Sequence, residues 1–125
     1  MRLYKQTGRI EDAIQVCYEL IQLTPNNTEH YLNFGIFAMQ LSKFELAESA
    51  FQKAISLQPK QASGYRELAE LYLRANHNLP QAQQLAQRSV ALSINTSDKS
   101  TAQSYYVLAW SYETQNNLKS ASERK

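Results

Sequence analysis

The 125-residue chain has one cysteine, three glycines, three prolines and two histidines, and each scarcity removes a class of protein. A single cysteine excludes an intrachain disulfide and any metal site built on cysteine pairs. So few glycines and prolines, with no run of alternating β-branched residues, argue against strands and against a disordered tail, which leaves an all-α fold. A net charge of +2 without a cluster of Lys and Arg gives no electrostatic footprint for nucleic acid or an anionic membrane surface. No apolar run approaches the ~18 residues of a membrane span. Met1-Arg2-Leu3-Tyr4-Lys5 does not begin a signal peptide, so a soluble protein of the cytoplasm or periplasm is expected. His30 and His77 have no second His or Cys at ligand spacing, and both read as solvated surface groups. Gly-rich phosphate loops and G-x-S-x-G are missing as well. The expectation is a chain that is not an enzyme and holds no cofactor and no metal.

What is present is helical periodicity, clearest from Tyr31 to Pro59. Tyr31, Phe34, Ala38 and Leu41 recur at spacings of three and four, one apolar stripe on one helix. Ser42-x-x-Glu45 reads as a capping box that starts the next helix. Phe44, Ala47, Ala50, Phe51, Ala54, Ile55 and Leu57 give that helix a broad apolar face, and Pro59, lacking an N–H, helps stop it. So short a turn makes the pair antiparallel. Gly35, Ala47 and Ala54 are small enough to let the helix axes approach closely, and Phe51 is expected at the packed centre. The pair cannot bury both faces alone and needs neighbours.

The same landmarks recur along the chain. Tyr4, Gly8, Ala13, Cys17 and Pro25 precede them, and Pro25 stands 34 residues before Pro59. Tyr65, Leu68, Ala69 and Tyr72 follow, then Tyr105, Leu108, Ala109, Tyr112 and Ala121. Aromatic, bulky and small residues at these spacings, then Ala-x-x-x-Phe and a closing Pro, resemble the tetratricopeptide repeat family, whose period is ~34 residues. The resemblance implies an all-α, right-handed α-solenoid of antiparallel helix-turn-helix repeats, here seven helices and a C-terminal stub. The implied repeats are a partial first at 1–27, then 28–61 and 62–96, a linker at 97–101 and a partial fourth at 102–125. The pattern is expected to be a fragment of a longer array. Cys17 takes the slot of a large aromatic and reads as a small buried core residue. Asn78 is placed to cap the helix that carries Pro80 in its first turn. Asn95 to Ser100 reads as a polar surface loop or as a backward extension of the next helix; the glycosylation-like Asn26-x-Thr28 and Asn95-x-Ser97 read as chance matches.

The resemblance also implies a function: binding a peptide or helical segment of a partner protein on the face lined by the first helix of each repeat. Setting the landmarks aside leaves Leu32, Asn33, Ile36, Met39 and Gln40 from the second repeat. The third contributes Arg66, Glu67, Glu70, Leu73 and Arg74. From the fourth come Gln103, Tyr106, Val107, Trp110, Glu113 and Thr114. Apolar ends around a mixed-charge middle suit an amphipathic helix or an extended segment with hydrophobic anchors. Trp110, the single Trp, and Tyr106 share a helical face and are the best candidates for partner contact. Two subfamily patterns fail. The carboxylate clamp of the chaperone adaptors finds Asn33 but then Ser63 and Glu67, or Gln103 and Val107, where it needs Lys and Arg. The Asn ladder of the sugar-transferase members reads Asn33, Glu67, Val107. The alternatives are a structural segment that self-associates through its repeat edges, and a regulatory region of a larger enzyme.

Overall fold

A computed structural model describes the backbone of residues 2–94 and 99–123 and the side chains of residues 8–94 and 101–119. The described residues form six α-helices and no strand: α1 (Arg2–Leu23), α2 (Thr28–Gln40), α3 (Phe44–Leu57), α4 (Ala62–Ala75), α5 (Leu79–Ser93) and α6 (Lys99–Glu123). They fall into two compact units, Met1–Pro59 and Lys60–Lys125.

In the first unit α2 packs against both α1 and α3. α1 ends where Thr24 donates its N–H and its hydroxyl to the Leu20 carbonyl, at 2.8 and 2.9 Å, just before Pro25. Asn27 then caps α2, its side-chain oxygen accepting the Glu29 N–H at 3.0 Å, and the Tyr31 hydroxyl donates to the Pro25 carbonyl at 2.7 Å. Cys17 is buried as expected, as are Ala47, Ala50 and Ala54. Phe51 is fully buried over Gly35, and a Cβ built on Gly35 would overlap the Phe51 ring at Cε1 and crowd its Cδ1 and Cζ. The two helices are therefore as close as a glycine permits.

Two details differ from expectation. The capping box is not formed: the α3 cap is Lys43, without a side-chain bond. Ser42 instead closes α2 in the left-handed region, φ 60°, with its N–H donating to Met39 O at 2.9 Å and the Lys43 N–H donating to Ala38 O at 2.8 Å. That pair of bonds is a Schellman motif, which normally holds glycine at this position. Nor is there a turn at Gly8. α1 runs through it, and α6 likewise runs through Asn116-Asn117, so six helices replace the expected seven and a stub. One interior glycine costs only about 1 kcal/mol, which a helix of this length tolerates.

In the second unit α4 packs against α5 and α6, and α5 against α6. Asn76 closes α4 in the left-handed region, φ 53°, through bonds of the same kind, His77 N–H to Tyr72 O at 3.0 Å and Asn76 N–H to Leu73 O at 3.2 Å. Asn78 takes the expected cap position of α5, but through its carbonyl, which accepts the Ala82 N–H at 2.9 Å, and not through its side chain. Where α5 packs on its neighbours its buried residues form a seam of small side chains, Ala82, Ala86, Ser89 and Ser93, and Ser104 and Ser111 are buried on α6. Thr101 donates to Ser93 O at 2.7 Å, Gln87 to the Tyr112 hydroxyl at 3.2 Å and Gln115 to Leu79 O at 3.4 Å; partners rising along α6 as they fall along α5 make the pair antiparallel. α6 thus buries Ser104, Val107 and Ser111, while the landmarks Tyr105 and Tyr112, expected to pack, stay half exposed. Asn95–Asp98, with most of the expected loop and the second glycosylation-like match, lie outside the described residues, as do the side chains of Tyr4 and Ala121. α6 already begins at Lys99, inside the expected linker.

Two substitutions test this packing. Phe51→Ala is expected to cost about 3–5 kcal/mol by leaving a cavity over Gly35; a denaturation midpoint equal to the parent's would remove Phe51 from the packed centre. Ser42→Gly separates the two accounts of the α2–α3 turn. A capping serine would be missed, whereas a left-handed serine gains about 1 kcal/mol on conversion to glycine. The expected result is a higher melting temperature.

Candidate functional site

The residues expected to line a ligand face fall into three groups. On α2, Asn33 and Gln40 are exposed and Ile36 is half-buried, but Leu32 and Met39 are each only 5% exposed. On α4, Leu73 is buried too. These three correct the expected lining. Each directly follows a landmark, about 100° around the helix, and a helix packed between two neighbours buries an arc wide enough to include it. They serve the core and leave little surface for a ligand.

The second unit brings several of the remaining residues of α4 and α6 together. Arg66, Glu67 and Glu70 face Ala102, Gln103, Tyr106 and Val107 across an open cleft of about 360 Å³. A second hollow of about 420 Å³ continues along α6 over Tyr106, Ala109, Trp110 and Glu113. Tyr106 belongs to both and is 70% exposed, its ring centroid 6.4 Å from that of the half-buried Trp110 and tilted by 51°. Val107 is buried at the floor of the first cleft. Thr114 is half-buried farther along α6.

The charges along α4 are arranged by helical spacing. Glu70 and Arg74, one turn apart, form an ion pair in which Nη2 at 2.8 Å and Nε at 3.0 Å both reach the same oxygen, Oε2. With Arg74 half exposed, such a pair contributes only about 0.3–0.5 kcal/mol. Arg66 and Glu67 are adjacent in sequence, and Nη2 stands 3.7 Å from Oε2, beyond hydrogen-bond length. The Glu67 side chain is only 16% exposed, so its carboxyl is largely withdrawn from water. Burial pushes its pKa up from the ordinary value of 4.5; Arg66 and Arg74 oppose the rise, and Glu70 adds to it.

Little else among the described residues bears chemistry. No group of three or more His, Cys, Asp and Glu could hold a metal ion, and no helix is long and apolar enough to cross a membrane. His77 is exposed and meets the Tyr72 ring edge-on, 6.3 Å between centroids, while His30 is half-buried near the start of α2. Burial pushes the Cys17 thiol upward in pKa, away from reactivity. The hollow at Ser42–Leu46 lies at the α2–α3 turn. It was not anticipated from sequence, because a turn read as a capping box gives no sign of exposing Leu46, whose side chain is about half exposed.

Helical hairpins of this length, with small residues at their crossings, define a helical-repeat protein, and comparison with known proteins agrees. A family model described as Tetratricopeptide repeat matches residues 60–124, and a second with the same description matches 2–27 and 29–61. The chain belongs to the tetratricopeptide repeat family. Superkiller complex protein 3 of Homo sapiens is 31% identical over 67 residues, which are 54% of this chain and 4% of that protein. The chain therefore matches only a small part of the length of its curated relatives. Among solved structures, the TPR2B domain of yeast Sti1 in complex with pHsp70 superposes with a TM-score of 0.78 at 17% identity, covering 90% of each chain. The Yersinia enterocolitica type III secretion chaperone SycD in complex with a peptide of the translocator YopD gives 0.77 at 18% identity, covering 89% of this chain and 86% of that one. Likeness at such identities shows the fold.

The raised pKa of Glu67 makes a pH prediction. The folded state holds this proton more tightly than the unfolded chain, so stability falls as pH rises from the ordinary glutamate value through the raised one. Glu67→Gln removes that fall. Its melting temperature, relative to the parent's, is expected to climb as pH is raised from about 4 to about 7. Parallel curves would mean that Glu67 is solvated.

Proposed function

We propose that this chain is a protein-interaction module that takes a segment of a partner protein in the cleft between α4 and α6. The observation that carries the reading is Tyr106. A large aromatic left 70% exposed on a helix, beside a second ring and above a buried valine, is an anchor without a covering side chain. The cleft supports the reading through its shape, open along the helices and wide enough to admit side chains of an extended or helical segment. The SycD structure, with its bound YopD peptide, offers an analogy on the same fold. The role is non-catalytic. Arg74 on α4 and Glu113 on α6 are proposed as further contacts.

A second reading rests on a different surface. Tyr105 and Tyr112 are half exposed and Ala109 is exposed on α6, an apolar stripe through which repeat edges could associate. Sedimentation across a concentration series separates the two, since only the edge reading makes mass depend on concentration.

The test is selection of binders from a random peptide library against the whole chain, followed by titration of the selected peptides. Tyr106→Ala and Trp110→Ala are each expected to weaken binding by about 2 kcal/mol, roughly thirtyfold. Circular dichroism should show the helical signal retained, because Tyr106 covers no core. Affinities equal to the parent's would remove the cleft as the binding site.

A further inference from the structure

We propose that the cleft between α4 and α6 selects a lysine or arginine side chain of its peptide partner, lodged between the carboxylates of Glu67 and Glu70 and the ring of Tyr106. This rests on the cleft being the peptide site, and names the chemistry of its occupant.

The lining divides into two parts that suit the two parts of such a side chain. Ala102, Val107 and the Tyr106 ring offer apolar surface on the α6 side, where the methylene stem of Lys or Arg can lie. Glu67 and Glu70 offer two carboxylates on the α4 side, one turn apart. The exposed face of Tyr106 adds a cation–π contact for the charged head. At about 360 Å³ the cleft accommodates one long side chain and not a globular surface.

The pairing geometry, and not an excess of charge, favours a cation at Glu67. The lining holds two carboxylates and the guanidinium of Arg66, and Glu70 is already paired with Arg74 from outside the lining. Arg66 sits 3.7 Å from the Glu67 oxygen, too far for a hydrogen bond, so an arriving ammonium or guanidinium can approach that carboxylate more closely than Arg66 does. Arg74 lies outside the cleft lining, and both of its reaching nitrogens converge on one oxygen of Glu70. Glu67 is largely withdrawn from water in the free chain, so part of the desolvation that opposes a buried ion pair is already spent before the ligand arrives. An acidic side chain in the same place would face both glutamates at once.

The experiment uses peptides selected from a random library on the whole chain, then resynthesised with their Lys or Arg changed to Gln. The expected result is that binders carry a basic residue at one position. Its change to Gln, and Glu67→Gln in the protein, each raise Kd by about tenfold, and the two changes together cost little more than either alone. Affinity should also fall as salt is added, a readout that needs no variant. Glu19→Gln, an exposed position on α1, is expected to leave Kd unchanged. Binders that depend on Tyr106 but carry no basic residue, or carry an acidic one, would overturn this inference and leave the cleft as the site. A failure to obtain any peptide sensitive to Tyr106→Ala would overturn both.

Discussion

Everything in the first unit depends on how closely α2 and α3 approach, and that distance is set where the Phe51 ring lies on Gly35. A side chain on residue 35 would push the ring out, and a smaller residue at 51 would leave a void in a core that packs like a crystal. The flanking residues are small for the same reason: Ala38, Ala47 and Ala54 are almost wholly buried and contribute proximity more than area. The second unit reaches the same end differently. Its buried seam is alanine and serine, with Ser89 and Ser93 turning their hydroxyls back onto the Ala86 and Ser89 carbonyls at 2.8 Å. A serine satisfied within its own helix packs as an alanine would.

Close approach widens the buried arc of any helix with two neighbours, and this decides what is left for a ligand. On α4, flanked by α5 and α6, the arc takes in Leu68, Ala69, Leu71, Tyr72 and Leu73, leaving a strip through Arg66, Glu67, Glu70 and Arg74. The strip is narrow enough that Glu67 sits half in the cleft and half against protein. Its raised pKa is thus a by-product of packing at the cleft.

The helix bodies were legible in the sequence because their signals are local. Pro25 and Pro59 mark chain exits, Asn78-Leu79-Pro80 opens α5, and apolar spacing assigned Ala47, Phe51 and Ala54 to the interior. What was not legible depends on neighbours. Whether Gly8 ends a helix depends on whether something folds back against it, and one residue type cannot say. Ser42 carried a correct turn signal with the wrong chemistry: the same serine can cap the next helix with its side chain or close the previous one with its backbone, and only φ distinguishes them. Leu32, Met39 and Leu73 were assigned to the ligand face by a single-stripe view of a helix that in fact packs on two sides.

α6 carries that last point furthest. Its repeat landmarks place Tyr105, Ala109 and Tyr112 on one stripe, yet the residues buried against the rest of the unit are Ser104, Val107 and Ser111. The two stripes are adjacent, and which is buried follows from which neighbours are present: α4 and α5 cover the serine stripe. Ser104 shows the cost, since its hydroxyl is buried without a hydrogen-bond partner, a situation that costs about 1–3 kcal/mol. Small size is the property the seam requires at that position, and alanine would supply it without the penalty. Packing against α4 and α5 also fixes how far Tyr106, one residue along from the exposed stripe and two from the buried serine, projects over the cleft. The orientation of the proposed anchor is therefore set by a seam of residues that never touch the ligand.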